Sequence, residues 1–307
     1  MTPLKGIALK LCSVVTFITM ASLIKAASAE VPAGQAVFFR SVFALPVILA
    51  WLAVRGDLRT GLKAASPMGH FWRGFVGTAA MGLGFAGLGL LPLPEVTAIG
   101  YAAPLLTVVL AAMFLGEQVR LFRLAAVALG MLGVLVILGP RLSAFSGDHV
   151  EKTAALGAML VLTGALCAAL AQIYIRKLVA TEQTSAIVFY FSVTSACLSL
   201  LTVPFGWVVP SLEAAALLVM AGVLGGMGQI FLTSAYRFAP ASVVAPFDYA
   251  SMLFAIVFGV VFFNEIPDLR TISGAGLVIL AGVIIIWREH QLGLERGRAR
   301  RGMTPQG

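Results

Sequence analysis

Two charged residues stand inside long apolar runs of this chain. Arg40 follows Phe38 and Phe39 and precedes the apolar stretch Val42 to Leu52, while Asp248 sits between Phe247 and Tyr249, just after Pro246. An ionised side chain at membrane depth is costly and usually faces a cavity or a partner. A guanidinium there could hold a substrate anion; a carboxylate could carry a coupling proton or balance substrate charge. Each has a plainer reading. Arg40 could form a structural ion pair, or snorkel to a surface about 9 Å away at ~1.5 Å per residue. Asp248 could be a helix-start carboxylate facing water. Tyr101 and Tyr249 are placed to flank a planar solute. Gln172 and Gln229 are mid-helix amides, which in lipid hydrogen-bond another helix or a ligand. These six residues are the candidate substrate contacts. Lys10, Tyr174, Tyr190 and Tyr236 lie around them, the last three near helix ends where interface anchoring is the ordinary role.

The elements that position these residues follow from composition. The chain has 307 residues, is 60% hydrophobic and 11% charged, and has a mean hydropathy of +1.00. Soluble domains carry roughly 25% charged residues, so the sequence predicts an all-α integral membrane protein. Taking about 20 residues per span, ten transmembrane helices fall near 6–26, 33–54, 71–91, 95–115, 121–139, 155–176, 184–206, 213–236, 242–263 and 271–288. A polar segment, Pro140 to Thr153, joins the fifth and sixth, and a basic tail over 289–307 is expected to be disordered. With the N-terminus inside, inner loops and tails hold 15 of the loop Lys and Arg residues, Arg73 among them, and outer loops hold 4: Lys25, Arg141, Lys152 and Arg270. Positive charge favours the cytoplasmic side, so both termini are expected to be cytoplasmic. On this placement Arg40 and Asp248 enter from opposite faces, with roughly 12 Å between their heights, and do not pair directly.

The two halves repeat. At an offset of 148, Pro92 matches Pro240, Tyr101 matches Tyr249, Phe114 matches Phe262 and Glu117 matches Glu265. At an offset of 152, Lys25 matches Lys177, Glu30 matches Glu182 and Phe39 matches Phe191. Five spans per repeat insert the second half upside down, giving two inverted five-helix repeats over 1–140 and 153–288. Inverted halves are an architecture of many secondary transporters. Glu117 and Glu265 are expected to organise the turn into the next helix, and Glu95 to cap a helix start. Arg40 and Asp248 have Ser192 and Gly100 at their mirror positions, so the chemistry falls where the symmetry is broken.

Other motifs point away from alternative classes. Gly82-Leu83-Gly84-Phe85-Ala86-Gly87 fits G-x-G-x-x-G but lies within an apolar helix, whereas a dinucleotide fingerprint needs a strand before it. With Gly74, Gly77 and Gly89, and with Gly222, Gly225, Gly226 and Gly228 in the eighth span, it reads as close helix packing and as smooth faces that permit sliding. Lys5, the following apolar stretch and Ala27-Ser28-Ala29 imitate a cleavable signal, but the stretch is of full spanning length and has a counterpart in the second half, so it reads as the first span. Cys12, Cys167 and Cys197 lie in apolar runs as expected buried thiols, and His70, His149 and His290 are scattered at loop or tail positions. No metal or other cofactor is indicated, and the net charge of +8 reads as membrane orientation rather than nucleic-acid binding. An integral-membrane enzyme would need clustered His, Asp or Ser machinery. A channel would show polar rings repeated among subunits.

The ten spans, the two five-helix halves and the Glu-turn-Gly-rich helix signature (Glu117 to Gly133, Glu265 to Gly282) resemble the drug/metabolite transporter superfamily in its EamA-domain branch. More narrowly, Pro3 to Lys10, Val37 to Ser41, Phe71 to Gly74 and Leu90 to Ala98 look like the group of that superfamily containing riboflavin importers. The resemblance implies a non-enzymatic secondary transporter of a small-molecule substrate, in the lipid bilayer of a bacterial inner membrane, with riboflavin uptake as the first expectation. Sister groups carry S-adenosylmethionine, amino acids and other metabolites. The resemblance carries no flavin-binding motif onto this chain, so the six candidate contacts rest on their own chemistry. An aromatic-lined pocket with amide and hydroxyl partners suits riboflavin and suits an aromatic amino acid equally.

Overall fold

The computed structural model describes residues 3–58, 60–115, 121–143, 149–178, 181–238 and 245–302. Among the described residues every regular element is helical: α1 (Pro3–Ala27), α2 (Ala33–Val54), α3 (Pro67–Leu88), α4 (Leu93–Gly100), α5 (Ala102–Leu115), α6 (Leu121–Ser143), α7 (His149–Leu178), α8 (Thr184–Ser199), α9 (Leu212–Phe238), α10 (Ala250–Phe263) and α11 (Leu269–Gly302). A 3-10 turn over Leu200–Phe205 extends α8, and another over Ala245–Tyr249 leads into α10. Since α4 and α5 form one interrupted span, the helices make up ten spans. Among the described residues, six stretches, such as Ala33–Val54 and Leu212–Leu232, are each long and apolar enough to cross a bilayer.

Prolines set several starts. Pro32 precedes α2, Pro67 opens α3 and Pro92 precedes α4, positions where a missing N–H costs nothing. At the end of α10, Asn264 takes the left-handed conformation (φ 54°), and the Glu265 N–H turns back to Gly259 O at 2.9 Å, a helix stop.

The halves interlock by exchange. α1 packs antiparallel on α9: Ser13 Oγ donates to Gly228 O at 3.1 Å, and Met20 lies against Gly225. The equivalent pair is α7 on α3, where Val161 fills the space beside Gly87 and Leu90 that beside Gly157. α6 meets α11 at Gly133 and Gly274, so close that a Cβ on Gly133 would fall 2.5 Å from Gly274 O. Small residues at crossings let helix backbones approach closely in lipid. One apolar cluster gathers Ile99, Leu105, Val134 and Val278; a second gathers Ile24, Val37, Leu93 and Leu218. Each draws on both halves.

Two matched carboxylates show the same exchange. Glu30, after α1, accepts hydrogen bonds from the N–H and the hydroxyl of Ser211, just before α9. Glu182, after α7, accepts from the Ala65 and Ser66 N–H groups at 2.7 and 2.6 Å, just before α3. Each half therefore caps a helix of the other, on opposite faces of the molecule.

Several expectations need correction. The connection between halves is short, because α6 runs to Ser143 and α7 begins at His149; Pro140 is accommodated inside α6. α11 continues past 288 to Gly302, since the Glu, Gln and Arg residues there are good helix formers. Asp248 lies in the 3-10 turn before α10 rather than within a helix. His70 is not a loop residue: it is buried in the first turn of α3, 4.8 Å from the Tyr190 ring. Its Nε2 is 3.4 Å from Glu182 Oε1, without hydrogen-bond alignment. Tyr190 itself donates to Leu62 O at 3.0 Å, a loop tie instead of an interface anchor. Cys12 and Cys197 are exposed on the protein surface, within apolar spans, and only Cys167 is half-buried. Glu95 is buried in the first turn of α4. Pro240 and Glu117 lie outside the described residues.

Candidate substrate site

Both Tyr101 and Tyr249 mark helix breaks. α4 ends at Gly100 and α5 starts at Ala102, leaving Tyr101 between them, while Tyr249 closes the 3-10 turn that gives way to α10. Pro104, early in α5, and Pro246, in the turn, are residues that favour such interruptions. The two rings meet edge-to-face with centroids 5.2 Å apart. The Tyr101 hydroxyl is 2.6 Å from the Ser251 hydroxyl and also donates to Tyr249 O at 3.3 Å. Ser251 Oγ donates in turn to Asp248 O at 2.7 Å.

Asp248 then brings in α1. Its carboxylate is 2.6 Å from Lys10 Nζ, with the lysine side chain 2% exposed and the aspartate 49% exposed. The ammonium is sealed in protein while the carboxylate keeps an open side. Beneath the aromatic pair, Gly282 of α11 leaves the room that the Tyr249 hydroxyl occupies: a Cβ there would lie 1.5 Å from that oxygen. One cluster thus joins Lys10, Tyr101, Asp248, Tyr249 and Ser251, from both halves.

Arg40 belongs to a different cluster. It is 3% exposed, and so it does not snorkel. Arg73, early in α3, is 9% exposed, and both guanidiniums rest on the ring of Phe191 in α8, with Cζ 3.7 Å from its centroid for Arg73 and 5.5 Å for Arg40. On each arginine, Nε and Nη1 are buried and make no hydrogen bond. Glycines make the space: a Cβ on Gly225 would lie 3.0 Å from Arg40 Nε, and one on Gly77 would lie 2.6 Å from Arg73 Nη1. A cavity of about 410 Å³ begins a turn or so away, lined by Val37, Thr78, Gly82, Leu198 and Thr202 among others.

α1 measures the separation of the clusters. Lys10 pairs with Asp248, whereas Met20 and Arg40 flank the same point on Gly225. Ten helical residues amount to about 15 Å, in keeping with the sequence argument that Arg40 and Asp248 do not pair directly. Tyr101, Tyr249 and Asp248 are brought together; Arg40 stands apart. Gln172 is exposed and Gln229 half-buried, and neither is hydrogen-bonded into a cluster among the described residues.

Sequence reasoning missed two residues as contacts. Lys10 was visible as a charge in the first span but had no assigned partner. Arg73 was counted with the inner loops because it lies near a helix start. Glu265, read as organising its own turn, instead accepts from the Leu93 N–H at 2.8 Å, capping α4, and pairs with Lys25 at 2.9 Å. Lys25 Nζ also donates to Leu88 O and Leu91 O at 3.1 and 2.6 Å. Among the described residues there is no cluster of three or more metal-ligating side chains.

Comparison with known proteins supplies the frame for these clusters. The sequence profile of the EamA-like transporter family matches residues 4–139 and 155–288. The chain is 32% identical over 284 residues to the pseudopaline exporter of Pseudomonas aeruginosa, covering 91% of this chain and 95% of that one. It is 28% identical over 288 residues to the S-adenosylmethionine uptake transporter of Rickettsia prowazekii, covering 94% of each. A crystal structure of a protein 20% identical in sequence superposes with a TM-score of 0.66, over 94% of this chain and 98% of the other, and shares its fold.

Proposed function

Because the chain belongs to the EamA-like transporter family, we propose that it is a secondary transporter that moves a small organic metabolite across a bacterial inner membrane by alternating access, with both termini cytoplasmic. The two five-span halves, residues 1–140 and 153–288, rock about a central site, and residues 289–307 follow on the cytoplasmic side. The observation that carries this reading is the pair of helix breaks at Tyr101 and Tyr249, equivalent positions of the two halves, whose rings meet 5.2 Å apart. Broken helices facing one another at the junction of inverted repeats are where transporters bind substrate and coupling ions. The Lys10–Asp248 pair beside them supplies an intramembrane ionisable group for substrate or proton. Tyr101, Tyr249 and Asp248 form this site, and Arg40 a second one.

Among substrates, the Rickettsia relative supports S-adenosylmethionine over riboflavin, which rests on the narrower sequence resemblance alone. An amino acid is the remaining alternative. The test is uptake of radiolabelled S-adenosylmethionine by membrane vesicles of both orientations containing the protein, beside growth of a riboflavin-requiring bacterium at low external riboflavin. Saturable S-adenosylmethionine movement is expected. Rescue of growth without it would return the assignment to riboflavin. Neither result, with the protein present in the membrane, would overturn both substrates.

A further inference from the structure

Two buried cations on one aromatic ring, with unpaired N–H groups, form an arrangement that is costly until something negative joins it. Nε and Nη1 of Arg40 and of Arg73 lie in the interior without hydrogen-bond partners, and Phe191 offers an aromatic face to both. A buried donor left without a partner is destabilising, and more so when it is charged. Cation–π contact offsets part of that but satisfies no N–H. Among the described residues, the ion pairs place Asp248 on Lys10, Glu265 on Lys25, Asp57 on Arg55 and Glu182 beside His70, away from Arg40 and Arg73. Gly77, one turn beyond Arg73 on α3, and Gly225 of α9 keep room for the guanidiniums, which a Cβ at either position would crowd.

We propose that Arg40 and Arg73 form a binding site for the carboxylate of an organic acid, with Phe191 as its aromatic wall. Planar guanidiniums match a carboxylate in forked pairs of hydrogen bonds. The body of the ligand is assigned to the cavity that begins at Val37, about one turn along α2 from Arg40, which is mostly apolar but carries Thr78 and Thr202; this favours an organic acid over a bare inorganic anion. The site lies about 15 Å along α1 from the Lys10–Asp248 pair, so a zwitterionic metabolite of that length could meet both, while a shorter acid would occupy this one alone. The inference deepens the transporter reading but does not depend on S-adenosylmethionine being the substrate.

The test uses the full-length protein in detergent or nanodiscs. Melting temperature is measured with succinate and with benzoate, each against its neutral amide and against sodium chloride at matched ionic strength, and with S-adenosylmethionine. At least one acid is expected to raise the melting temperature saturably while its amide does not. Arg40→Gln and Arg73→Gln are expected to weaken that binding roughly 10- to 100-fold, the loss expected for a charged hydrogen bond, with Arg→Lys variants intermediate. If either glutamine variant fails to fold, the acid-against-amide comparison on the unaltered protein still decides. Equal shifts with acid and amide, or no shift with any acid, would overturn the proposal. Shifts with succinate or benzoate but none with S-adenosylmethionine would uphold the site and remove only that substrate.

Discussion

Lys10 and Asp248 form a cross-half ion pair in which one partner is sealed and the other is open. The ammonium, 2% exposed, lies 2.6 Å from a carboxylate that is 49% exposed. The first span of one half is thereby tied to the 3-10 turn of the other, beside the two tyrosines. On the proposed function, a substrate cation or a proton reaching the open side of Asp248 would compete directly with Lys10, making arrival of cargo and loosening of the α1 contact one event.

Removing the carboxylate leaves a buried ammonium without its counter-charge, a change that costs about 3–5 kcal/mol when both partners are buried and less here because Asp248 is half open. Asp248→Asn is expected to lower uptake at least tenfold and also to reduce the amount of protein in the membrane. Lys10→Gln combined with Asp248→Asn is expected to restore the amount but not the uptake. Quantitative blotting beside vesicle uptake separates the two effects, and normal uptake in the single variant would end the proposed role.

Lys25 and Glu265 bolt the face that carries the α1–α2 turn, where the ends of α1, α3 and α10 meet the start of α4. Glu265→Gln is expected to weaken this closure and favour the form open on that face. Membrane-impermeant thiol reagent, applied to a single cysteine placed at Tyr249 in an otherwise cysteine-free protein, should label several times faster in the Gln variant. An unchanged rate would show that the bolt is only a helix cap.

Gly282→Ala puts a methyl where the Tyr249 hydroxyl sits, 1.5 Å from that oxygen. Overpacking of this kind costs about 1–3 kcal/mol, and the ring is expected to swing away from Tyr101. Uptake should fall with the protein still inserted, and Tyr249→Phe in the same background should recover part of it.

Glu30 gives a pH signature. Hydrogen bonds from the Ser211 hydroxyl and N–H hold its carboxyl below the ordinary value of 4.5. A depressed folded-state pKa stabilises above the unfolded value, and that stabilisation is lost as pH falls through the folded one. On acidification from pH 6 to below 4.5, the Glu30→Gln protein is expected to lose less of its melting temperature than the unaltered protein. Parallel curves would remove Glu30 as a titrating cap.

The spans were legible because twenty-residue apolar runs have few alternatives in lipid. The repeat alone pairs Tyr101 with Tyr249, at equivalent positions of the two halves. Arg40 announced itself by depth. Arg73 did not, because a residue six positions into α3 looks like ordinary inner-face charge; only the inward turn of its side chain onto Phe191 distinguishes it, and that depends on Gly77 and a helix from the other half. The partner of Lys10 was hidden for the same reason, since a span-to-span contact over 238 positions leaves no local mark. Gln172 shows the converse: an amide in mid-helix promises a partner, yet which way it faces is set by the packing of α7.

The caps at Glu30 and Glu182 have a consequence for biosynthesis. Ser66 leaves the ribosome 116 residues ahead of the carboxylate that will close its helix. At about 5–20 residues per second, that is a wait of roughly 6 to 23 s. Through that interval the start of α3 relies on water, lipid headgroups or the insertion machinery. The nascent first half is thus an unfinished object, and a ribosome stalled before codon 182 would deliver a membrane segment for quality control to remove.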